Sequence, residues 1–341
     1  MKFQKIYVLC PVGIKTGGPE LLHQLVYQIN KISDKGKATI AYIGDPKRNK
    51  PVAEYKKYIG NDWIRVNQID DKKENLIIFP ETFLSMFDKY KYSIKYIWWL
   101  SVDNYLNGSS IRFNLESKGL FRTAKAYLRG AIKGYTKQIK SADKNLCQSY
   151  YAEEFLRNKY GILDNRIVYL SDYINDLYVN HSDESLSKDK QDIVLYNPKK
   201  GLEFTRKIIE KSKNKNWKWI PLIGLKNEQV KEYLETSKVY IDFGNHPGKD
   251  RFPREAAILG CCVITDKRGA ANYFKDVPIA DKYKYEDNDK NIPEIIQMIE
   301  YCIKNYSIAR NDFEDYREYI KSEKAAFTDD VVKIFGEKKN Q

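Results

Sequence analysis

The sequence predicts an α/β fold built from two doubly wound, Rossmann-like domains that face a cleft, and three observations carry that expectation. Short apolar runs alternate with amphipathic stretches along most of the chain. The alternation is interrupted by a polar, aperiodic segment at residues 173–191 and then starts afresh. A length of 341 residues suits two domains better than one, at roughly 100 to 200 residues each. The expected limits are 1–172 for the first domain, 173–191 for a linker, 192–311 for the second domain and 312–341 for a charged helical tail.

In the first half, an apolar run at 6–10 leads into a Pro/Gly loop (PVGIKTGGPE), an amphipathic stretch over 20–32 and a second apolar run at 38–43. Strand, glycine loop, helix and strand at that spacing make a βαβ unit, and hence a parallel sheet. Runs at 76–79, 96–100 and 145–148 extend the series. The second half offers strands at 193–196, 219–223, 239–243 and 262–265, separated by helical patterns at 202–213, 228–235 and 253–259. Ligands of such sheets bind outside the carboxyl ends of the strands. The loops at those ends are therefore where function is sought.

Composition narrows the classes. With 42% hydrophobic and 13% aromatic residues the chain can bury a core large enough to offset its conformational entropy. No stretch approaches the ~18 to 20 uncharged apolar residues of a bilayer span, and the N-terminus lacks an apolar signal core, so a cytoplasmic location is expected. Five Cys, with only Cys261 and Cys262 adjacent, give neither a disulfide framework nor a CxxC pair. No His grouping has metal-ligand spacing, so no metal and no cofactor are expected. The absence of GxxxxGK[ST] and of GxGxxG disfavours a P-loop NTPase and a NAD dehydrogenase.

Charge is unevenly shared: residues 1–172 carry 29 basic and 17 acidic side chains, net +12, against 30 and 29 in residues 173–341. The first domain is thus expected to meet something anionic. Much of the excess lies in residues 118–144, where Lys118, Arg122, Lys125, Arg129, Lys133, Lys137, Lys140 and Lys144 follow one another at steps of three or four. At ~100° per residue these fall on one side of a single amphipathic helix, with Phe121, Ala124, Leu128, Ala131, Ile132, Tyr135 and Ile139 on the other. Such a stripe suits an anionic membrane surface, with Lys125, Arg129, Lys133 and Lys137 at its centre, and implies a peripheral location on the inner face of the plasma membrane. The competing reading is a solvated face over a core helix. Nothing resembles an RNP motif, a zinc finger or a leucine zipper, so no nucleic-acid partner is expected.

The most informative segment is residues 238–274, KVYIDFGNHPGKDRFPREAAILGCCVITDKRGAANYF. A buried-type strand runs into a loop with two glycines, a His, a Lys and an Arg, then reaches Pro253 at the expected first helical position with Glu255 in the first turn. Free amides at a helix N-terminus favour an anion; Lys249 and Arg251 add full charge, and Gly244 and Gly248 allow close backbone approach. Glu255 can accept from vicinal ribose hydroxyls, so a nucleoside diphosphate fits these parts together. Alternatively Glu255 is an acid that stabilises the start of its helix. Gly269, Ala270 and Ala271 open a second strand-to-helix turn, another potential phosphate cradle.

The run PREAAILGCCVIT resembles the carboxyl-terminal donor-site signature of GT-B glycosyltransferases, E-A-x-x-x-G-x-x-V-I, which binds the nucleotide's ribose. The resemblance implies that role for Glu255. NPKKG (197–201) resembles the basic loop that neutralises the donor diphosphate, which implies Lys199 or Lys200 there, and Gly224 stands where such enzymes form part of the nucleobase pocket. TGGPE (16–20) resembles the glycine loop facing donor sugar and acceptor, which implies Gly17, Gly18 and Glu20 on the acceptor side. Retaining members show a second Glu eight positions earlier; Pro247 stands there, with Asp250 or His246 as substitutes, so retention or inversion is left open. Asp103, soon after the run at 96–100, is placed to take an acceptor proton, or else forms a turn. Trp98 and Trp99 suit core packing more than sugar stacking, and His23 suits a packed surface position.

Together these imply transfer of a sugar from a nucleoside diphosphate sugar to a glycan or lipid-linked acceptor in bacterial surface polysaccharide synthesis, without a metal. Two alternatives stand beside it: a nucleotide-sugar 2-epimerase of the same fold, and a non-catalytic polyanion-binding protein.

Overall fold

The apolar runs of the sequence become twelve strands in two sheets, every neighbouring pair of which is parallel among the residues described, 3–33, 37–45 and 50–336, in a computed structural model. The chain divides into unit 1, Met1–Ser171 with Ala326–Gln341, and unit 2, Asp172–Ala325.

Unit 1 holds β1 (Ile6–Pro11), β2 (Ala38–Ile43), β3 (Trp63–Arg65), β4 (Leu76–Pro80), β5 (Ile94–Trp99), β6 (Lys144–Cys147) and β7 (Ile167–Tyr169), in the order β3-β2-β1-β4-β5-β6-β7. Ile6 of β1 lies opposite both Ala38 of β2 and Leu76 of β4. The chain builds outward through β2 and β3, then crosses to the other side of β1. That reversal opens a crevice at the carboxyl ends of β1 and β4. The strands are buried on both faces, which is why they read as unbroken apolar runs instead of alternating ones. Trp98 and Trp99 lie in this interior, and Trp99 Nε1 donates to Asn145 Oδ1 at 2.9 Å. His23 is also interior, not at the surface: its Nδ1 is 2.6 Å from Pro19 O and its Nε2 2.8 Å from Tyr42 Oη.

Unit 2 holds β8 (Gln191–Tyr196), β9 (Lys218–Pro221), β10 (Ser237–Asp242), β11 (Cys262–Asp266) and β12 (Lys284–Tyr285), ordered β12-β11-β10-β8-β9. Here the reversal falls between β8 and β10. Its core gathers Val194, Leu195, Tyr240, Ile241, Ala257 and Ile264.

Three sequence expectations are corrected. The segment 173–191, expected as a linker, carries helices Asp176–Val179 and Ser182–Ser187 and sends Ile174 and Tyr178 into unit 2's core; its helices are too short to show a period. The expected tail 312–341 is not a separate element: helix Glu314–Phe335 is shared by unit 2 up to Ala325 and unit 1 from Ala326, and residues 337–341 lie outside the described residues. The single basic helix over 118–144 is broken into helices Ile111–Lys118, Leu120–Leu128 and Thr136–Ser141, with Lys144 already in β6. Gly119 (φ 77°) and Gly130 (φ 65°) take left-handed conformations that no right-handed helix contains, so the regular spacing of cations does not wind into one stripe. Of the side expected to be apolar and packed, only Ile139 is buried.

Candidate functional site

At the reversal in unit 2, three loops leave the carboxyl ends of adjacent strands: 197–201 after β8, 243–250 after β10 and 267–269 after β11. They touch backbone to backbone, and glycine is the reason they can. A Cβ on Gly201 (φ 56°) would stand 1.9 Å from Phe243 O, and one on Gly269 (φ 56°) 2.1 Å from His246 O. A Cβ on Gly244 would collide with Lys200 Cβ at 2.1 Å. The first loop is further shaped by an Asx turn, Lys199 N–H donating to Asn197 Oδ1 at 3.1 Å, and it ends at the N-terminus of helix Leu202–Lys211. The second loop ends at helix Arg251–Ile258. Two helix N-termini thus start from the switch-point loops, each with first-turn amides that have no acceptor within the helix.

The geometry redistributes the roles expected from sequence. At the turn of Gly269 and Ala270, the Ala270 N–H expected to face a phosphate donates to His246 O at 2.8 Å, so this turn clasps two loops together. Helix Arg251–Ile258 starts two residues before Pro253, which places Glu255 in the second turn, largely buried, and not in the first. Lys249 is taken away from any phosphate. Its buried Nζ sits 2.9 Å from Glu323 Oε1 and 3.0 Å from Tyr319 Oη. Beside it, buried Arg254 donates to both oxygens of Asp172 (2.9 and 2.8 Å), to Glu323 Oε2 (2.8 Å) and to Lys249 O (2.8 Å). Two cations and two carboxylates cancel inside unit 2, with the geometry that a buried ionic group requires. Lys199 remains exposed, Arg251 is half-buried at the start of its helix, and Gly248 is buried in the second loop. Gly224 (φ 70°) lies exposed in the loop after β9, with open space around it.

His246 lies fully buried beneath the loops, its Nδ1 3.1 Å from Asp250 Oδ2 and its Nε2 3.4 Å from Asp266 Oδ1, with Asp242 Oδ1 at 4.0 Å. Burial alone would lower its pKa, but Asp242, Asp250 and Asp266 outweigh that and push it up to about 9. Burial pushes Asp266 up to about 6, against His246 and Arg268. Burial likewise raises Asp250, but Lys200 and His246 outweigh it and hold the carboxyl below the usual range. Lys200 is ion-paired to Asp250, and Arg268 Nε donates to Asp266 Oδ2 at 2.6 Å. Asp250 and His246, the substitutes for the acid that Pro247 replaces, are thus held against one another, with Lys200 on Asp250 and with Asp242 and Asp266 facing the imidazole. The nearest ligand atoms of Asp242, His246 and Asp250 lie within 4.8 Å of one another, close enough to share a metal ion. In this cluster Lys200 stands against Asp250 and Arg268 against Asp266.

In unit 1, Gly17 and Gly18 open helix Gly17–Ile32 at the end of β1. Glu20 accepts from Tyr58 Oη at 3.0 Å and has Lys57 Nζ at 4.0 Å. Asp103 is buried in the first turn of helix Val102–Ser109, and its Oδ1 accepts from Tyr151 Oη at 3.2 Å. Sequence reasoning missed Glu81, buried at the very end of β4 and accepting from Leu100 N at 3.0 Å. Burial pushes its pKa up to about 7 despite backbone N–H donors, where the carboxyl ends of β4 and β5 meet. The rule that selected Asp103, an acid closely following an apolar run, would have selected it too. Lys125, Arg129, Lys133 and Lys137 are exposed on the broken segments described above.

No family model matches the chain, and no curated protein matches it in sequence. Solved structures do. Sucrose-phosphate synthase from Thermosynechococcus elongatus aligns at a TM-score of 0.62 with 12% identity, over 97% of this chain and 98% of that one. HepE from Anabaena, in complex with UDP and glucose, aligns at 0.60 with 11% identity, over 97% and 98%. TarM from S. aureus aligns at 0.56 with 15% identity, over 80% of this chain but 57% of TarM. At such low identity these likenesses establish the fold: two Rossmann-like α/β domains of the GT-B type.

Proposed function

We propose that the protein is a glycosyltransferase that moves a sugar from a nucleoside diphosphate sugar, held by unit 2, to a glycan or lipid-linked acceptor, held by unit 1. The observation that carries the reading is the stacking of loops 197–201 and 243–250 at the switch point, each feeding a helix N-terminus. The diphosphate is bound by first-turn amides of helices Leu202–Lys211 and Arg251–Ile258, with Lys199 and Arg251 supplying charge, and Glu255 grips the ribose. Gly224 borders the base. These donors stabilise the leaving diphosphate as the glycosidic bond breaks, so metal-free transfer is proposed. Asp103 and Glu81 are the carboxyl groups placed at the first sheet to receive the acceptor's proton, Glu81 being the one near half-charged at neutral pH. HepE in complex with UDP and glucose, and WaaG, a glycosyltransferase involved in lipopolysaccharide biosynthesis, support the choice of donor and of bacterial surface polysaccharide as the setting.

Titration with UDP, GDP and CMP, in the presence of EDTA, tests the site. Replacing Glu255 by Ala is expected to weaken the preferred nucleotide at least about tenfold, since hydrogen bonds to a charged group are at stake. Unchanged affinity removes Glu255 from the site. With a donor sugar, nucleotide release that depends on added glycan acceptor supports transfer, whereas free sugar released without acceptor points to the epimerase.

A further inference from the structure

Helices Ile111–Lys118 and Leu120–Leu128 form a hairpin whose polarity is inside out. Among its described side chains the buried ones are Asn114 and Thr123, both polar. Asn114 Nδ2 donates to the carbonyls of Asn107 (2.9 Å) and Ser110 (2.8 Å), which ties the hairpin to the preceding helix, and Thr123 Oγ1 donates to Gly119 O at 2.8 Å. The large apolar side chains face outward instead: Phe121 is 91% exposed, Leu128 84% and Leu120 70%, with Tyr127, Ile111 and Leu115 exposed beside them. Gly119, at φ 77°, makes the turn that carries Leu120 and Phe121 to the tip. Exposed apolar residues scattered singly need no explanation, but a contiguous set does.

We infer that this hairpin docks on an anionic lipid bilayer, Leu120, Phe121, Tyr127 and Leu128 entering the interface while the neighbouring cations meet headgroup phosphates. Charge complementarity selects this occupant. Arg112, Lys118, Arg122, Lys125 and Arg129 are all exposed around the apolar set, against Glu116, which is paired with Arg112 at 2.8 Å. Apolar residues ringed by cations are the composition of an interfacial helix. A second copy of this chain would bring the same cations against themselves across a twofold interface. Nucleic acid would use the cations and leave the apolar tip in water. The inference differs from a purely electrostatic stripe in requiring burial of named apolar side chains, and it stands whether or not the donor site is read correctly, because lipid binding is measured without nucleotide.

The test is flotation of the full chain with vesicles of phosphatidylcholine alone or mixed with phosphatidylglycerol. Binding is expected only to the mixed vesicles, and L120S/F121S/L128S together are expected to lower the partition coefficient by at least about tenfold. Replacing Lys118, Arg122, Lys125 and Arg129 by Gln is expected to lower it about as much. Because every altered side chain is exposed, both variants should unfold at the wild-type temperature. Phe121→Trp adds a direct readout, a blue shift of emission on adding mixed vesicles. Failure to float, or binding that survives the triple Ser variant and is abolished by salt alone, overturns the inference. So does self-association without lipid that the triple Ser variant abolishes.

Discussion

Over the second sheet, Arg254, Lys249, Asp172 and Glu323 are charged groups sealed in the interior, whereas in the hairpin of unit 1 Leu120, Phe121 and Leu128 are apolar groups left in solvent. Both regions depart from apolar-inside packing, in opposite directions. In the first the departure is compensated on the spot: every cation has a carboxylate at hydrogen-bonding distance, and the result ties segments near residues 172, 254 and 323 together around the helix that bears Glu255. In the second nothing in the described chain compensates it. The contrast teaches that a buried charge with partners speaks of architecture, while exposed apolar surface without a cover speaks of a partner.

The comparison is broken most forcefully at Arg254. Arg254→Met leaves Asp172 and Glu323 buried with Lys249 alone, and a loss of about 3 to 5 kcal/mol in unfolding free energy is expected from denaturant titration. A loss near zero would mean that the network is dispensable. His246 sharpens the same side. Its folded pKa, about 9, lies above the free value of 6.5, so the protonated ring stabilises the fold fully below about pH 6.5, and that contribution disappears as pH rises through about 9. By linkage the wild type is expected to lose up to about 3 kcal/mol across this window, and His246→Gln to lose correspondingly less, as read from denaturation midpoints at several pH values. Parallel curves would place the histidine's proton elsewhere. The smallest effect is expected in the hairpin, where Leu128→Ser should change stability by no more than about 0.5 kcal/mol in the absence of lipid. A large drop there would show that Leu128 is covered within the protein after all.

How much of this was legible depends on range along the chain. Strands announced themselves because a parallel strand is buried on both faces: residues 76–79 could only be apolar, and β4 is Leu76–Pro80. Loop glycines were visible as glycines, but that Gly201 abuts Phe243 and Gly269 abuts His246 could not be read from either loop alone. Two of the expected phosphate ligands are paired within the protein for the same reason. Lys249 looked available because Glu323 lies far away in sequence, and Lys200 because Asp250 does. Arg254, next to the residue singled out for ribose, went unnoticed since its partners are 82 and 69 positions away. The basic stripe failed differently: steps of three and four between cations survive in sequence even when Gly119 and Gly130 interrupt the winding.

By itself the sequence determined the class of fold and the order of its main elements, because burial periodicity and turn residues act within a few positions of themselves. The tertiary structure decided which of the charged side chains in the loops are spent on one another, and which apolar side chains are left facing water. Those outcomes depend on distances between residues remote in the chain, and no local pattern encodes them.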